Sequence, residues 1–154
     1  MKNVKIIKED RDQGTVTSIE FFKEHYKELG EIRYLILYYA EREWSINHNL
    51  QHQYTIFIGE NAQLWLFGIA WGYYGQGPSG LHEIIGMIDP EITYKQIVDL
   101  EWMAEEPIMF EIGESKFILK HITENVKEIL RNGNRFLPWD IRNVSQRDKS
   151  ERRT

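Results

Sequence analysis

The chain has 154 residues, of which 42% are hydrophobic, 28% charged and 13% aromatic. That is one domain's worth of sequence, long enough to bury a core without metals or crosslinks. It holds no cysteine, which excludes disulfides, thiol catalysis and cysteine-ligated zinc, and its net charge of −5 argues against general nucleic-acid binding, which needs a basic face.

The N-terminus, MKNVKIIKEDRDQG, has neither a long apolar stretch nor a small-residue cleavage site, and no segment is apolar for as long as a membrane span requires. A cytoplasmic protein is the expectation. Thr17-Ser18-Ile19-Glu20 has capping-box spacing; Ile19, Phe22, Tyr26 and Leu29 then recur on one helical face and Gly30 stops it, which predicts a helix over 18–29. Residues 32–44 are aromatic and β-branched and read as a strand, 53–58 as a second, and 63–71 as a third after a turn at 59–62. In the third, strict alternation sends Trp65, Phe67, Ile69 and Trp71 one way, and small residues at 68 and 70 predict a close neighbour. An antiparallel meander over 32–71 is the simplest arrangement. A short helix is expected over 80–88. Asp89-Pro90 then opens a further helix ending near 105, residues 107–120 form a hairpin turning at Gly113-Glu114, and Thr123 caps a last helix through 130, closed by Gly133. Together these predict an α+β fold, a mainly antiparallel sheet with helices packed on one face.

Residues 131–154 carry a net charge of +4 and the preceding 130 a net charge of −9. A single domain over 1–145 and a basic, disordered tail over 146–154 are expected, with Phe136-Leu137-Pro138-Trp139 packed on the body. No internal repeat or low-complexity tract interrupts the chain.

The segment 67–81, FGIAWGYYGQGPSGL, contains five glycines: Gly68, Gly72, Gly75, Gly77 and Gly80. Glycine loses the most chain entropy on folding, so a cluster needs positive-φ positions or a close approach to backbone. Two readings fit. In one, the glycines make a tight turn that lets a helix lie against the sheet, with Trp71, Tyr73 and Tyr74 as packing. In the other, Trp71, Tyr73 or Tyr74 stacks a flat group while the amides of Gly75, Gly77, Ser79 and Gly80, at a helix start opened by Pro78, hold an anion. Gly75 to Gly80 matches G-x-G-x-x-G by letters, but a proline at the fourth position and an antiparallel approach argue against a dinucleotide fold, and no Gly-Lys-Ser/Thr follows to make a Walker A loop.

The same stretch resembles a signature of small, uncharacterised bacterial and phage-borne domains: an aromatic, a spacer, then Trp-Gly-Tyr-Gly-Gly-Ser-Gly-Pro and an apolar helix. Here it stands as Phe67, Ile69, Trp71-Gly72-Tyr73-Tyr74-Gly75-Gln76-Gly77-Pro78 and Leu81, departing at Tyr74, where the pattern has glycine, and at Gln76, where it has serine. The resemblance spans about residues 64–106 and implies no activity.

The remaining constellations are weak. His48 and His52 lack the carboxylate of a His-Glu-x-x-His zinc site, Ser79 does not stand in Gly-x-Ser-x-Gly, and no carboxylate pair stands out as an acid/base couple. His82 could donate to an anion at the helix start. The expectation is therefore a binding protein without catalytic residues, metal or cofactor, taking a small anionic, nucleotide-like ligand on Trp71, Gly72, Tyr73, Tyr74, Gly75, Gln76, Gly77, Ser79, Gly80 and His82, with Lys95, Lys116, Arg135 or Arg142 closing the site. A phage or mobile-element protein that sequesters a nucleotide signal would fit. The alternative is an interaction protein, such as the immunity partner of a toxin, suggested by the acidic body and aromatic strands. Homo-oligomers are compatible with either.

Overall fold

The computed structural model describes residues 5–41, 51–104 and 106–133. Six strands form one sheet: β1 (Lys5–Lys8), β2 (Ile32–Glu41), β3 (Gln51–Gly59), β4 (Ala62–Leu66), β5 (Ile108–Gly113) and β6 (Lys116–Lys120). The order across it is β1-β4-β3-β2-β5-β6. Every pairing is antiparallel except that of the edge strand β1 with β4. The helices are α1 (Thr15–His25, extended by a 3-10 turn over Tyr26–Leu29), α2 (Gln76–Gly86), α3 (Tyr94–Val98) and α4 (Glu124–Arg131). The fold is α+β with a mostly antiparallel sheet. No described helix is long and apolar enough to cross a membrane.

The sheet is covered on both sides. Phe22 of α1, Leu81, Ile84 and Ile85 of α2, and Ile97 of α3 bury against Leu35, Leu37, Phe57, Leu64 and Leu66. On the opposite face Val126, Ile129 and Leu130 of α4 meet a layer that includes Ile36, Tyr38, Tyr54, Trp65 and Phe67. Three helices thus lie on the expected face and α4 lies on the other. Double cover explains why the middle of β2, Leu35-Ile36-Leu37-Tyr38, has no polar alternation: all four side chains are buried. The meander β2-β3-β4 is present with the predicted turn.

Several local signals act as read. Gly30 ends the first helix at φ 70° and Thr123 accepts the Val126 amide; the β5–β6 hairpin forms, with its turn one residue later than expected, at Glu114 and Ser115 with φ 51° and 60°. Others are overridden. The first helix starts at Thr15, behind Gly14 at φ 97° and with no side-chain cap, which puts Thr17 inside it, and the Ser18 hydroxyl donates to Glu9 at 2.6 Å. The third helix is capped by Thr93, in a reciprocal box with Gln96, and stops at Val98. Beyond it the carbonyls of Glu101 and Trp102 accept from Trp71 Nε1 and Gln53 Nε2, so this segment serves its neighbours and cannot run on as a helix. Strand β1 has too little apolar pattern to announce itself.

The third predicted strand ends at Leu66, five residues early. There the ladder is replaced by side chains: the Phe67 amide donates to Glu9 Oε1 at 2.9 Å, the Gly68 amide to Ser18 Oγ at 2.9 Å, and the Gly68 carbonyl accepts from Thr15 Oγ1 at 2.7 Å. The two-residue alternation breaks with it. Trp65 and Phe67 pack beside α4, whereas Ile69 and Trp71 join the opposite layer. The close neighbour foreseen at residue 68 is the start of α1: a Cβ on Gly68 would stand 2.2 Å from the Gly14 carbonyl oxygen.

Candidate functional site

A cleft of about 420 Å³ opens where the parallel strands β1 and β4 end and α1 and α2 begin. Its floor is the chain leaving β4, residues 67–70. Gly14 and Thr15 bring the start of α1 to it, Gln76 and Gly77 the start of α2, and Asp12 the loop between β1 and α1. The far wall comes from β2 and β3, through Tyr39, His52 and Gln53, and from Trp102.

Each wall is fixed by hydrogen bonds. Gln53 is buried and donates from Nε2 to the Trp71 carbonyl at 3.0 Å and to the Trp102 carbonyl at 3.2 Å, which ties the loop after α3 to the sheet. His52 Nε2 donates to the Phe67 carbonyl at 2.5 Å. Tyr39 and Trp102 lie 5.6 Å apart at 45°. Trp102 and Tyr73, which line the opening, remain 43% and 44% exposed. Burial, with the Tyr94 and Asp12 charges adding to it, pushes the Tyr73 hydroxyl above its usual pKa.

Beneath the floor lies Glu9, 6% exposed, whose Oε1 accepts from both Ser18 Oγ and the Phe67 amide. Desolvation raises its pKa above the ordinary carboxylate value, and these two hydrogen bonds oppose the rise.

Of the residues singled out from the sequence, Tyr73, Gln76 and Gly77 line this cleft. Trp71 is 1% exposed and donates from Nε1 to the Glu101 carbonyl at 3.0 Å, so its ring belongs to the core and offers no stacking face. Tyr74, 73% exposed, leans on Tyr94 outside the cleft. His82 donates to the Ile92 carbonyl at 2.9 Å and braces the helix there.

Of the amides expected to hold an anion, those of Gly75 and Ser79 are engaged within the protein, as is the neighbouring one of Gly72. That of Gly72 donates to the Ile97 carbonyl, that of Gly75 to the Tyr94 hydroxyl at 2.9 Å, and that of Ser79 to the Gly75 carbonyl at 3.1 Å. Gly80 lies inside α2, which begins four residues earlier than the sequence suggested. The glycines answer to packing. Gly72 has φ 85°, where a Cβ would meet the Leu100 carbonyl oxygen and Trp102 Cα at 2.8 Å, and a Cβ on Gly80 would stand 2.3 Å from Thr15 Cγ2 where α1 crosses α2. Neither lysine closes the cleft: Lys95 pairs with Asp99 at 2.6 Å and Lys116 pairs with Glu91. Arg135 and Arg142, like Phe136 to Trp139, His48 and the tail, lie outside the described residues.

Sequence reading missed Asp12, Thr15, Tyr39, His52 and Trp102. For Tyr39 and Trp102 the available signal is the number of aromatic residues, 20 in a chain of this length; Asp12, Thr15 and His52 have none. No described group of three or more histidines and carboxylates could hold a metal ion. No family model, curated protein or solved structure matches the chain, so its likeness to the Trp-Gly-Tyr signature rests on those residues alone.

Proposed function

We propose that the protein binds, without chemical conversion, a small ligand carrying a flat, hydrogen-bonding ring of the nucleoside or nucleotide kind, and that the cleft at the ends of β1 and β4 is its seat. The observation that carries this reading is the meeting, in the lining of one cleft, of the aromatic residues Tyr39, Tyr73 and Trp102 with Gln76, Gly77 and the acidic Asp12. Its volume of about 420 Å³ suits a small molecule, and such sites combine apolar walls with a few convergent polar groups. Stacking a base on an aromatic side chain contributes about 1–3 kcal/mol. Glu9, the buried carboxylate nearest the floor, is used as a structural acceptor, which favours binding over acid/base chemistry.

Isothermal titration against nucleosides, cyclic nucleotides and ADP-ribose-type compounds tests the proposal. Saturable heat with at least one of them, lost in Trp102→Ala, is expected; silence across the panel at high micromolar concentration would overturn it.

A second reading, an immunity or other protein-interaction role, is favoured by a different feature. A groove of about 590 Å³ runs between the segment entering β5 and the end of β6, lined by Pro107, Ile108, Leu119 and Ile122, with Met103, Ile118 and Leu119 at least half exposed nearby. A basic partner would be steered to the acidic body, with slower association as salt rises. A toxin gene beside this one, and a co-expressed complex that Leu119→Asp dissolves, would support it. A complex indifferent to that change would set it aside.

A further inference from the structure

We infer that the cleft takes its ring ligand uncharged, as a nucleobase or nucleoside, and discriminates against the phosphate ester; this rests on the ring-binding proposal above. The argument is a charge inventory. Asp12 brings a full negative charge to the cleft, and its Oδ1 accepts the Gly14 amide at 2.8 Å. The anion that the start of α1 would attract is therefore already present, supplied by the chain. At the start of α2 the Gly75 amide is held by Tyr94, the Ser79 amide by the Gly75 carbonyl, and Pro78 has none. Among the described residues no bond is made by the amides of Gln76, which is exposed, and Gly77, which is buried. A helix start is equivalent to roughly half a positive charge, so two starts and one carboxylate come to about zero.

No lysine or arginine stands among the described residues that line the cleft. A phosphate, bearing about −1.5 to −2, would have to shed water beside Asp12 without meeting a full positive charge from any described residue of the lining, and an unpaired charge is costly to desolvate. A neutral base meets no such cost. Its faces find Tyr39, Trp102 and Tyr73. An amino group on its edge finds the second oxygen of Asp12, and a ring nitrogen or carbonyl finds the amides of Gln76 and Gly77. The cleft thus presents both an acceptor and donors, as reading a base edge requires.

Isothermal titration of the full chain with adenosine, guanosine and their 5′-mono- and triphosphates decides it. The expected result is that each nucleoside binds at least as tightly as its phosphate esters, with little change as salt is raised. Asp12→Asn keeps the oxygen that accepts the Gly14 amide and removes the charge, so it should improve monophosphate over nucleoside by about fivefold. A phosphate ester that binds about tenfold or more tighter than its nucleoside, or an unchanged ratio in Asp12→Asn, overturns the charge inference and leaves ring binding standing. No heat with any of these compounds overturns both.

Discussion

Glu9 is where the sequence and the fold pull hardest against each other. A carboxylate 6% exposed is retained because its Oε1 takes two donors, Ser18 Oγ and the Phe67 amide, that would otherwise be buried without a partner. Glu9→Gln keeps an acceptor oxygen and removes the desolvated charge, so denaturation should show stability unchanged or slightly higher. Glu9→Leu removes the acceptor, and the same measurement should show a loss of about 1–3 kcal/mol. The raised pKa has a sign. The folded state binds the proton more tightly than the unfolded one, so the stability that Glu9 contributes is greatest below the ordinary value of 4.5 and falls as pH rises through the raised folded value. Glu28 runs the other way: hydrogen bonds from Lys5 and His25 lower its pKa, and its contribution is lost as pH falls through the lowered value. Denaturation midpoints across the acid range should therefore decline less steeply with rising pH in Glu9→Gln than in the parent chain; identical profiles would contradict this account of Glu9. The capping box at residues 17–20 was legible as a pattern, but the helix begins two residues earlier, behind Gly14 in a positive-φ turn, so Thr17 lies inside it, and spacing alone carries no trace of that.

At the scale of elements, close crossing of α1 and α2 sets the floor of the cleft, and Gly80 sets the crossing. Alanine has the better helix propensity by roughly 1 kcal/mol, yet a Cβ on Gly80 would stand 2.3 Å from a Thr15 methyl whose hydroxyl is anchored to the Gly68 carbonyl. Gly80→Ala should cost about 1–3 kcal/mol in chemical denaturation. Gly86, at the end of the same helix, has open space at its Cβ position, so Gly86→Ala should be neutral or mildly stabilising. Equal effects at the two positions would refute the crossing as the cause. Thr123→Ala should cost about 1 kcal/mol through its lost cap, read from the denaturation midpoint. The Thr123 cap, the stop at Gly30 and the hairpin at 113–116 were legible because their causes lie within a few residues. Strand β1 was not, since its two apolar residues acquire meaning through a parallel pairing with β4, far along the chain. The end of β4 escaped for the same reason: the groups that intercept its ladder come from residues 9, 15 and 18.

For the whole molecule, the meander and the α+β class followed from pattern, while the second covered face and the cleft needed the assembled chain. The glycine-rich loop drew attention for a sound reason, but its glycines serve helix crossing and a positive-φ turn, and its amides mostly bond within the protein. What it does contribute is Tyr73, Gln76 and Gly77 on one side of an opening whose other side is built by Tyr39, His52 and Trp102. Amide and indole chemical-shift mapping during titration with adenosine and guanosine reads that arrangement residue by residue. Saturable shifts confined to Gly68, Tyr73, Gln76, Gly77 and the Trp102 indole are predicted; shifts that gather instead around residues 106–122, or none at the highest soluble nucleoside concentration, would contradict the cleft as the binding site.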